Sequence, residues 1–210
     1  MRSFQPIEKK YFKSGFELIA GTDEAGRGPL AGPVVAASVI FPKNVKINGI
    51  NDSKILSLEQ RLNLEVEIKS KAIAYSVKAI DHTTIDKINI LNASLLAMRK
   101  AVESLKINPE IILVDGPKTF ESTTQVISII EGDSKCFTIA AASILAKNYR
   151  DRLMIDYAET YPIYNFEKNK GYPTKFHIEA ILRYGPCEIH RKKFLTKIYE
   201  RRSEQNTFEF

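Results

Sequence analysis

Residues 21–33, GTDEAGRGPLAGP, follow an apolar run at residues 16–20 that is typical of a β-strand. Asp23 and Glu24 therefore lie at the predicted end of this strand, immediately before a loop that contains glycine and Arg27. Neighbouring side chains of a regular strand point to opposite faces, so we expect the backbone to turn, with one acid offering a carbonyl oxygen or reaching a second ion. Glycine lets backbone N–H groups approach a ligand closely, and a planar guanidinium suits a phosphate. The segment therefore indicates metal-assisted phosphodiester chemistry.

The composition is that of an ordinary globular chain with an excess of positive charge. The 210 residues can bury a sizeable core, and the net charge of +6 suits a polyanionic partner without proving one. No apolar run approaches the length of a membrane span, and residues 1–13 lack the apolar core of a signal peptide. Cys136 and Cys187 show no metal-ligand spacing. We therefore expect a reducing, cytoplasmic location and no membrane partner.

Apolar and amphipathic segments alternate along the chain, which predicts a mixed α/β fold. The predicted strands are residues 16–20, 34–41, 74–80, 111–114 and 126–130. The predicted helices are residues 58–72, with Ser57 as N-cap and Gln60 completing a capping box, 85–102 and 140–157. We divide the chain into a catalytic core at residues 1–160, a helical C-terminal part at 161–202 that is rich in aromatic and basic residues, and a tail at 203–210 that we expect to be disordered.

Acidic residues recur after three of the predicted strands. They are Asp23 and Glu24, Asp115, and Glu131 and Asp133. If these strands share one sheet, the acids meet at one edge, where their mutual repulsion raises their pKa values unless cations bind. Mg²⁺ prefers oxygen ligands, and two such ions can activate a water and stabilise a leaving oxygen. Asp115 alone, before a glycine, is more typical of a turn, but the recurrence of acids favours a metal site.

A second interpretation of the glycine loop is a nucleotide-binding motif. Gly26, Gly28 and Ala31 match the spacing of the dinucleotide-binding fingerprint. That fingerprint must begin a helix, whereas Pro29 and Pro33 precede a β-like segment here. The chain also lacks the Gly-Lys-Ser/Thr of a P-loop, so neither cofactor-binding motif is supported.

The longer motifs resemble those of bacterial ribonuclease HII, the type 2 ribonuclease H. The matching segments are GTDEAGRGPLAGPVVAA (21–37), NDSKILS (51–57), IDKINILNASLLAMRKAV (85–102), LVDGP (113–117), EGDSKCFTIAAASILAKNYRDR (131–152), GYPTKFH (171–177) and GPCEIHRKKF (185–194). The resemblance covers roughly residues 16–195 and implies a ribonuclease H-like mixed five-stranded sheet flanked by helices, with a helical C-terminal part. It implies an endonuclease that hydrolyses the RNA strand of RNA–DNA hybrids and cuts at single ribonucleotides embedded in duplex DNA, leaving 5′-phosphate and 3′-hydroxyl ends.

The resemblance also implies the site residues. The catalytic and metal-binding acids are Asp23, Glu24, Asp115 and Asp133, holding Mg²⁺ or Mn²⁺, with two ions when substrate is bound. The substrate-binding residues are Gly26, Arg27, Gly28, Tyr172, Lys54, Ser134, Lys192 and Lys193. Small departures from the family pattern, such as Cys136 and Cys187, do not involve the four acids. The expected partners are RNA–DNA hybrids and ribonucleotide-containing duplexes, and the expected state is a monomer.

Two alternative functions are less well supported. A non-catalytic nucleic-acid-binding protein would use the basic, aromatic C-terminal part alone, but the intact acid set argues against it because uncompensated carboxylates repel phosphate. A type 1 or type 3 ribonuclease H shares the chemistry, but its local motifs differ from those of this chain. Cleavage in the presence of Mg²⁺, as opposed to binding alone, separates the first alternative from an enzyme.

Overall fold

The computed structural model describes residues 7–50 and 56–207, and within them a five-stranded mixed sheet. The strands are β1 Ile19–Ala25, β2 Val34–Ile40, β3 Ala74–Ile80, β4 Ile111–Asp115 and β5 Gln125–Ile129. Their order is β3-β2-β1-β4-β5, with β2 antiparallel to β1 and β3, and β4 parallel to β1 and β5. The predicted mixed five-stranded sheet is therefore confirmed.

The helices of the described residues cover both faces of this sheet. They are α1 Glu8–Lys13, α2 Leu58–Lys71, α3 His82–Ile88, α4 Ile90–Glu103, α5 Gly132–Lys135, α6 Phe137–Thr160, a short 3-10 helix Pro162–Tyr164, α7 Phe166–Asn169, α8 Lys175–Tyr184 and α9 Lys192–Thr207. The capping box that the sequence predicts at Ser57 and Gln60 is present. Within the described residues, no helix is long and apolar enough to cross a membrane.

Strand β2 is buried along its whole length because each face packs against a different group of helices. Val34 and Ala36 join the cluster that contains α4, whereas Val35 and Ala37 join the cluster that contains α2 and α6. This alternation is the two-residue period of a strand, applied to a sequence that is apolar on both faces. On β1, a Cβ at Gly21 would lie 2.4 Å from the carbonyl carbon of Thr138, so glycine allows α6 to lie close against the sheet.

Two element boundaries differ from the sequence-based expectation. Strand β1 continues to Ala25, because residues 20–25 pair with residues 35–40 of β2, so the acid pair lies within the strand and not beyond its end. The predicted helix at residues 85–102 is two helices, which Asn89 separates with a φ of 66°. With a φ of 66° and a ψ of 167°, Asn89 is not helical, and its side chain caps α4 by accepting a 3.1 Å hydrogen bond from the N–H of Asn92.

The C-terminal helices pack against the loop that follows β1. Leu30 and Ala31 of this loop share a hydrophobic cluster with Met154 of α6, Phe166 of α7 and Ile181 of α8. Helix α9 extends to Thr207, and no glycine or proline interrupts it before that point. The last three residues lie outside the described part of the chain.

Candidate active site

The four predicted metal-binding acids line one cavity of about 300 Å³. Asp23 and Glu24 come from β1, and Asp115 comes from the adjacent parallel strand β4. Because Thr22 pairs with Val114, Asp23 and Asp115 are the next residues on two neighbouring strands. Asp133 reaches the same cavity from the short helix α5, which follows β5. We call the cavity that these four carboxylates line the acid cavity.

Backbone and side-chain hydrogen bonds hold the acids in place. The N–H of Gly132 donates to Asp115 Oδ1 at 2.7 Å, and the N–H of Glu24 donates to Asp23 Oδ1 at 2.7 Å. Arg27 Nη1 lies 3.3 Å from Glu24 Oε1, so the loop arginine forms an ion pair with one of the acids. These contacts fix the carboxylates against the sheet edge before any ligand arrives.

The acid cavity carries more negative charge than the protein neutralises within it. Burial, and then the charges of Glu24 and Asp115, raise the pKa of Asp23 well above its ordinary value. Burial also raises the pKa of Glu24, although Arg27 opposes that rise. Carboxylates that repel one another across a cavity are relieved by a bound cation. The donor chemistry therefore fits a hard divalent ion.

The cavity does not form a closed cage of protein ligands. Within residues 7–50 and 56–207, no three His, Cys, Asp or Glu side chains form a group that holds a metal ion by itself. Magnesium keeps several waters and is commonly bound through one or two carboxylates together with phosphate oxygens. An open arrangement of this kind leaves coordination positions for water and substrate.

The glycine-arginine-glycine loop and Tyr172 line the same cavity as the four acids. Gly26, Arg27, Gly28 and Tyr172 all line it, and the ring of Tyr172 is 43% exposed. A Cβ at Gly28 would lie 3.4 Å from the Tyr172 ring, so the loop and the ring are in close proximity. A 2.7 Å hydrogen bond from the N–H of Leu30 to the carbonyl of Gly171 joins the two segments.

Three predicted substrate-binding residues, Ser134, Lys192 and Lys193, do not line the acid cavity. Ser134 is exposed on α5, and its hydroxyl donates to the carbonyl of Glu131 at 2.9 Å. Lys192 and Lys193 are exposed at the start of α9, where their backbone N–H groups donate to Asp86. Lys54 lies outside the described residues.

The sequence analysis missed residues that line or support the cavity. Ser143, Lys147 and Arg150 of α6 line it, and Arg150 is buried. Asp151, the neighbour of Arg150 in the sequence, forms ion pairs with Arg61 and Lys147. A sequence signal existed for Arg150, because it lies four residues from both Ala146 and Met154 on the buried side of the helix.

Gly26 has a structural role that the sequence did not indicate. Its φ is +96°, and a Cβ there would lie 2.1 Å from Arg150 Nε. Arg150 itself donates to the carbonyls of Ala31, Pro33 and Lys170 at 3.0 to 3.1 Å. The glycine is therefore required by a buried arginine behind the loop, in addition to any approach by a ligand.

Comparison with known proteins places this fold and cavity in a family. The family model described as Ribonuclease HII matches residues 20–197. The chain belongs to this family. It is 51% identical over 192 residues to Ribonuclease HII of Caldicellulosiruptor saccharolyticus, covering 91% of this chain and 94% of that protein. It is 52% identical over 194 residues to Ribonuclease HII of Bacillus subtilis, covering 92% and 74% respectively.

Solved structures agree in fold. Ribonuclease H2 from Pyrococcus horikoshii OT3 aligns with a TM-score of 0.71 at 28% identity, covering 88% of this chain and 98% of that chain. A chain of the PCNA:RNase HII complex from Archaeoglobus fulgidus aligns with a TM-score of 0.70 at 24% identity, covering 84% and 95%. The resemblance to ribonuclease HII is confirmed, and the chain is a metal-dependent endoribonuclease of the ribonuclease H type.

Proposed function

We propose that this ribonuclease HII hydrolyses the RNA strand of RNA–DNA hybrids and cuts duplex DNA at single embedded ribonucleotides. The products carry 5′-phosphate and 3′-hydroxyl ends. The observation that supports this best is that the four acids, the glycine-arginine-glycine loop and Tyr172 line the same cavity. Chemistry and recognition of the sugar thus share one cavity of about 300 Å³.

Asp23, Glu24, Asp115 and Asp133 are proposed to hold Mg²⁺ or Mn²⁺, with two ions when substrate is bound. The raised pKa values of Asp23 and Glu24 support this, because burial and repulsion leave these carboxylates in need of a cation. Bst-RNase HIII, which shares the fold at a TM-score of 0.65 and 18% identity over 96% of this chain and 75% of that chain, is described in complex with Mn²⁺. Bound ions supply an activated water and stabilise the leaving oxygen.

The loop and Tyr172 are proposed to recognise the ribonucleotide. The 2′-OH distinguishes this sugar from its DNA neighbours and can both donate and accept a hydrogen bond. Backbone N–H groups of Arg27 and Gly28 are suited to contact it, since glycine allows close approach. The exposed side chain of Tyr172 is proposed to stack on the adjoining deoxyribose. Arg27 is exposed and suited to a phosphate.

The C-terminal part, residues 161–202, is proposed as the second substrate-binding element. It supplies Tyr172 to the cavity and presents the exposed side chains of Lys192 and Lys193. We keep Lys54 as a proposed substrate contact, together with Ser134, which does not line the cavity. We also propose that the protein acts in the cytoplasm as a monomer, and the free thiols of Cys136 and Cys187 are consistent with a reducing compartment.

Cleavage of a duplex that carries one ribonucleotide tests the proposal. We expect cutting with Mg²⁺ or Mn²⁺, none in chelator, and none of an all-DNA duplex of the same sequence. Binding of the duplex without cutting, in either metal, would support the non-catalytic alternative. End analysis of the products checks for the 5′-phosphate.

Variants of Tyr172 test the recognition role separately. Tyr172→Ala is expected to fold normally. Its cleavage at a single embedded ribonucleotide should fall steeply, whereas its affinity for the metal ion should change little. Tyr172→Phe retains most activity if stacking dominates and little if the hydroxyl contacts substrate. Full activity of Tyr172→Ala on both the one-ribonucleotide duplex and a long hybrid would remove Tyr172 from recognition.

A further inference from the structure

A fully buried arginine, Arg191, lies behind the glycine-arginine-glycine loop. Its Nη2 donates to the carbonyl of Gly26 at 2.7 Å and its Nη1 to the carbonyl of Arg27 at 3.0 Å. Nε and Nη2 also donate to the carbonyls of Gly32 and Pro33 at 3.0 and 3.1 Å. No ion pair joins Arg191 to a carboxylate of the described residues, so carbonyl oxygens satisfy this buried charge.

Fixing these two carbonyls also fixes the N–H groups that follow them. In a planar trans peptide, the C=O of one residue and the N–H of the next point in opposite directions. The N–H groups of Arg27 and Gly28 therefore point away from the Arg191 guanidinium. Neither donates to another group in the described part of the chain, and both residues line the acid cavity.

The chain segment that carries Arg191 is itself held against the loop. The N–H of Arg191 donates to the carbonyl of Leu30 at 2.8 Å, and the N–H of Gly32 donates to the carbonyl of Ile189 at 2.9 Å. Ala31 and His190 form an antiparallel bridge between these two bonds. Main-chain pairing with residues 30–32 therefore holds the segment that carries the guanidinium next to residues 26 and 27.

We infer that Arg191 is a positioning residue that presents the N–H groups of Arg27 and Gly28 as a preformed donor pair for the sugar hydroxyl of the substrate. The inference rests on the proposed function, in which this loop reads the ribonucleotide. Donors that are fixed before binding lose little conformational freedom when the substrate arrives. The hydrogen bonds from Arg191 to the loop carbonyls, which we call the clamp, therefore strengthen the preference for a ribonucleotide over a deoxyribonucleotide. Arg191 touches neither substrate nor the acids in this role.

The test compares the affinities of two duplexes, identical except for one ribonucleotide, measured in chelator so that neither is cut. The wild-type protein is expected to prefer the ribonucleotide duplex. Arg191→Lys keeps the charge but cannot hold four carbonyls in a planar fork, so that preference falls by about tenfold, the value of one well-placed hydrogen bond. Affinity for the all-DNA duplex changes little, and stabilisation by Mn²⁺ persists because the acids are intact.

Ile181→Val is the matched control for lost stability. Ile181 is buried in the same C-terminal cluster as Leu30 but donates nothing to the loop carbonyls. This variant is expected to melt at a lower temperature and to keep the wild-type preference for the ribonucleotide. An equal loss of preference in Ile181→Val would show that Arg191→Lys acts through general stability, and it would overturn the inference.

The remaining outcomes separate the inference from the proposed function. If wild type prefers the ribonucleotide and folded Arg191→Lys keeps that preference, or weakens both duplexes equally, the inference alone is overturned. If wild type shows no preference, recognition by the loop fails and the inference fails with it.

Should Arg191→Lys not fold, the Nε–H of Arg191 in the unmodified protein is measured by NMR. Slow solvent exchange and ribonucleotide-specific shifts of the Arg27 and Gly28 amides are expected, and rapid exchange or unchanged shifts would overturn the clamp.

Discussion

Two groups of side chains in this protein, each containing a buried carboxylate, have opposite electrostatics. In the acid cavity, burial and neighbouring carboxylates raise the pKa of Asp23 well above its ordinary value. The second group is formed by Glu65, Lys69, Asn148 and Arg152, and we call it the Glu65 network. Burial acts to raise the pKa of Glu65 as well, but hydrogen bonds from its partners lower it to about 2.

The difference lies in the partners that the fold supplies. Arg152 donates to both oxygens of Glu65, at 2.8 and 2.9 Å, while Lys69 and Asn148 add bonds of 2.6 and 2.9 Å. The charge of Glu65 is thus neutralised inside the protein and contributes to stability. The acid cavity leaves charge for an external cation and contributes to binding instead. Burial alone does not distinguish the two roles, whereas the balance of charge does.

The largest expected effect comes from changing one carboxylate in each group. Asp115→Asn is expected to reduce turnover by orders of magnitude, because the cavity loses a proposed metal ligand. It should leave the melting temperature unchanged or higher, since it removes a charge that repels Asp23 and Glu24. Glu65→Gln should do the reverse, keeping turnover and losing stability. Wild-type turnover in Asp115→Asn would show that this carboxylate is not needed for catalysis, and the contrast between the two groups would be wrong.

The stability of the Glu65 network should depend on pH. The pKa of Glu65 is about 2 in the folded protein, below its ordinary value of 4.5, so its contribution is present above pH 4.5 and lost as the pH falls toward 2. Glu65→Gln is expected to cost about 2 kcal/mol at pH 7, less than the full shift because Lys69 and Arg152 remain partly exposed and screened. Urea titrations of both proteins across this range measure the difference.

The difference in unfolding free energy should then shrink as the solution is acidified. A constant difference between wild type and Glu65→Gln from pH 7 to pH 2 would show that the ion pairs contribute nothing. It would then be packing of the side chain, and not its charge, that separates the two proteins.

The sequence predicted the parts of the site that depend on local pattern. Asp23, Glu24 and Asp115 follow or occupy apolar strands, so their meeting at one sheet edge follows from strand order. It also predicted the capping box at Ser57, which is a short-range signal. The break at Asn89 was missed because the apolar period continues on both sides of it, and a left-handed φ leaves no trace in that period.

The support behind the loop could not be predicted in the same way. Arg191 and Gly26 are 165 residues apart, and Arg150 and Pro33 are 117 residues apart. Their partners are backbone carbonyls, which every residue possesses, so residue identity gives no indication of the pairing. The partners of Glu65 are similarly distant, as Arg152 lies 87 residues away. Long-range contacts to main-chain atoms therefore appear only in the folded structure.

A smaller effect is expected from divalent ions in the absence of substrate. Millimolar Mg²⁺ should raise the melting temperature by a few degrees more than monovalent salt at the same ionic strength, because it binds the folded acid cavity and not the unfolded chain. Asp115→Asn should lose this increment and Glu65→Gln should retain it, since the Glu65 network is already neutralised. Identical melting curves in Mg²⁺ and matched salt, measured by calorimetry, would contradict an ion-binding cavity.

The smallest expected effect concerns the affinity for nucleic acid, and it compares two exposed lysines of α9 with a lysine of the Glu65 network. Lys192 and Lys193 are exposed, and only their backbone N–H groups are used by Asp86, so replacing both by Ala leaves that helix cap in place. If both side chains contact phosphates, the slope of log affinity against log salt should flatten by about two, while the bond that is cut does not change. Lys69→Ala is the control, because Lys69 is 2.6 Å from Glu65 and its charge is already used within the protein. Equal slopes in wild type and the double variant would show that Lys192 and Lys193 belong to an ordinary solvated surface. A flattened slope in Lys69→Ala would show that cations of the Glu65 network also contact nucleic-acid phosphates.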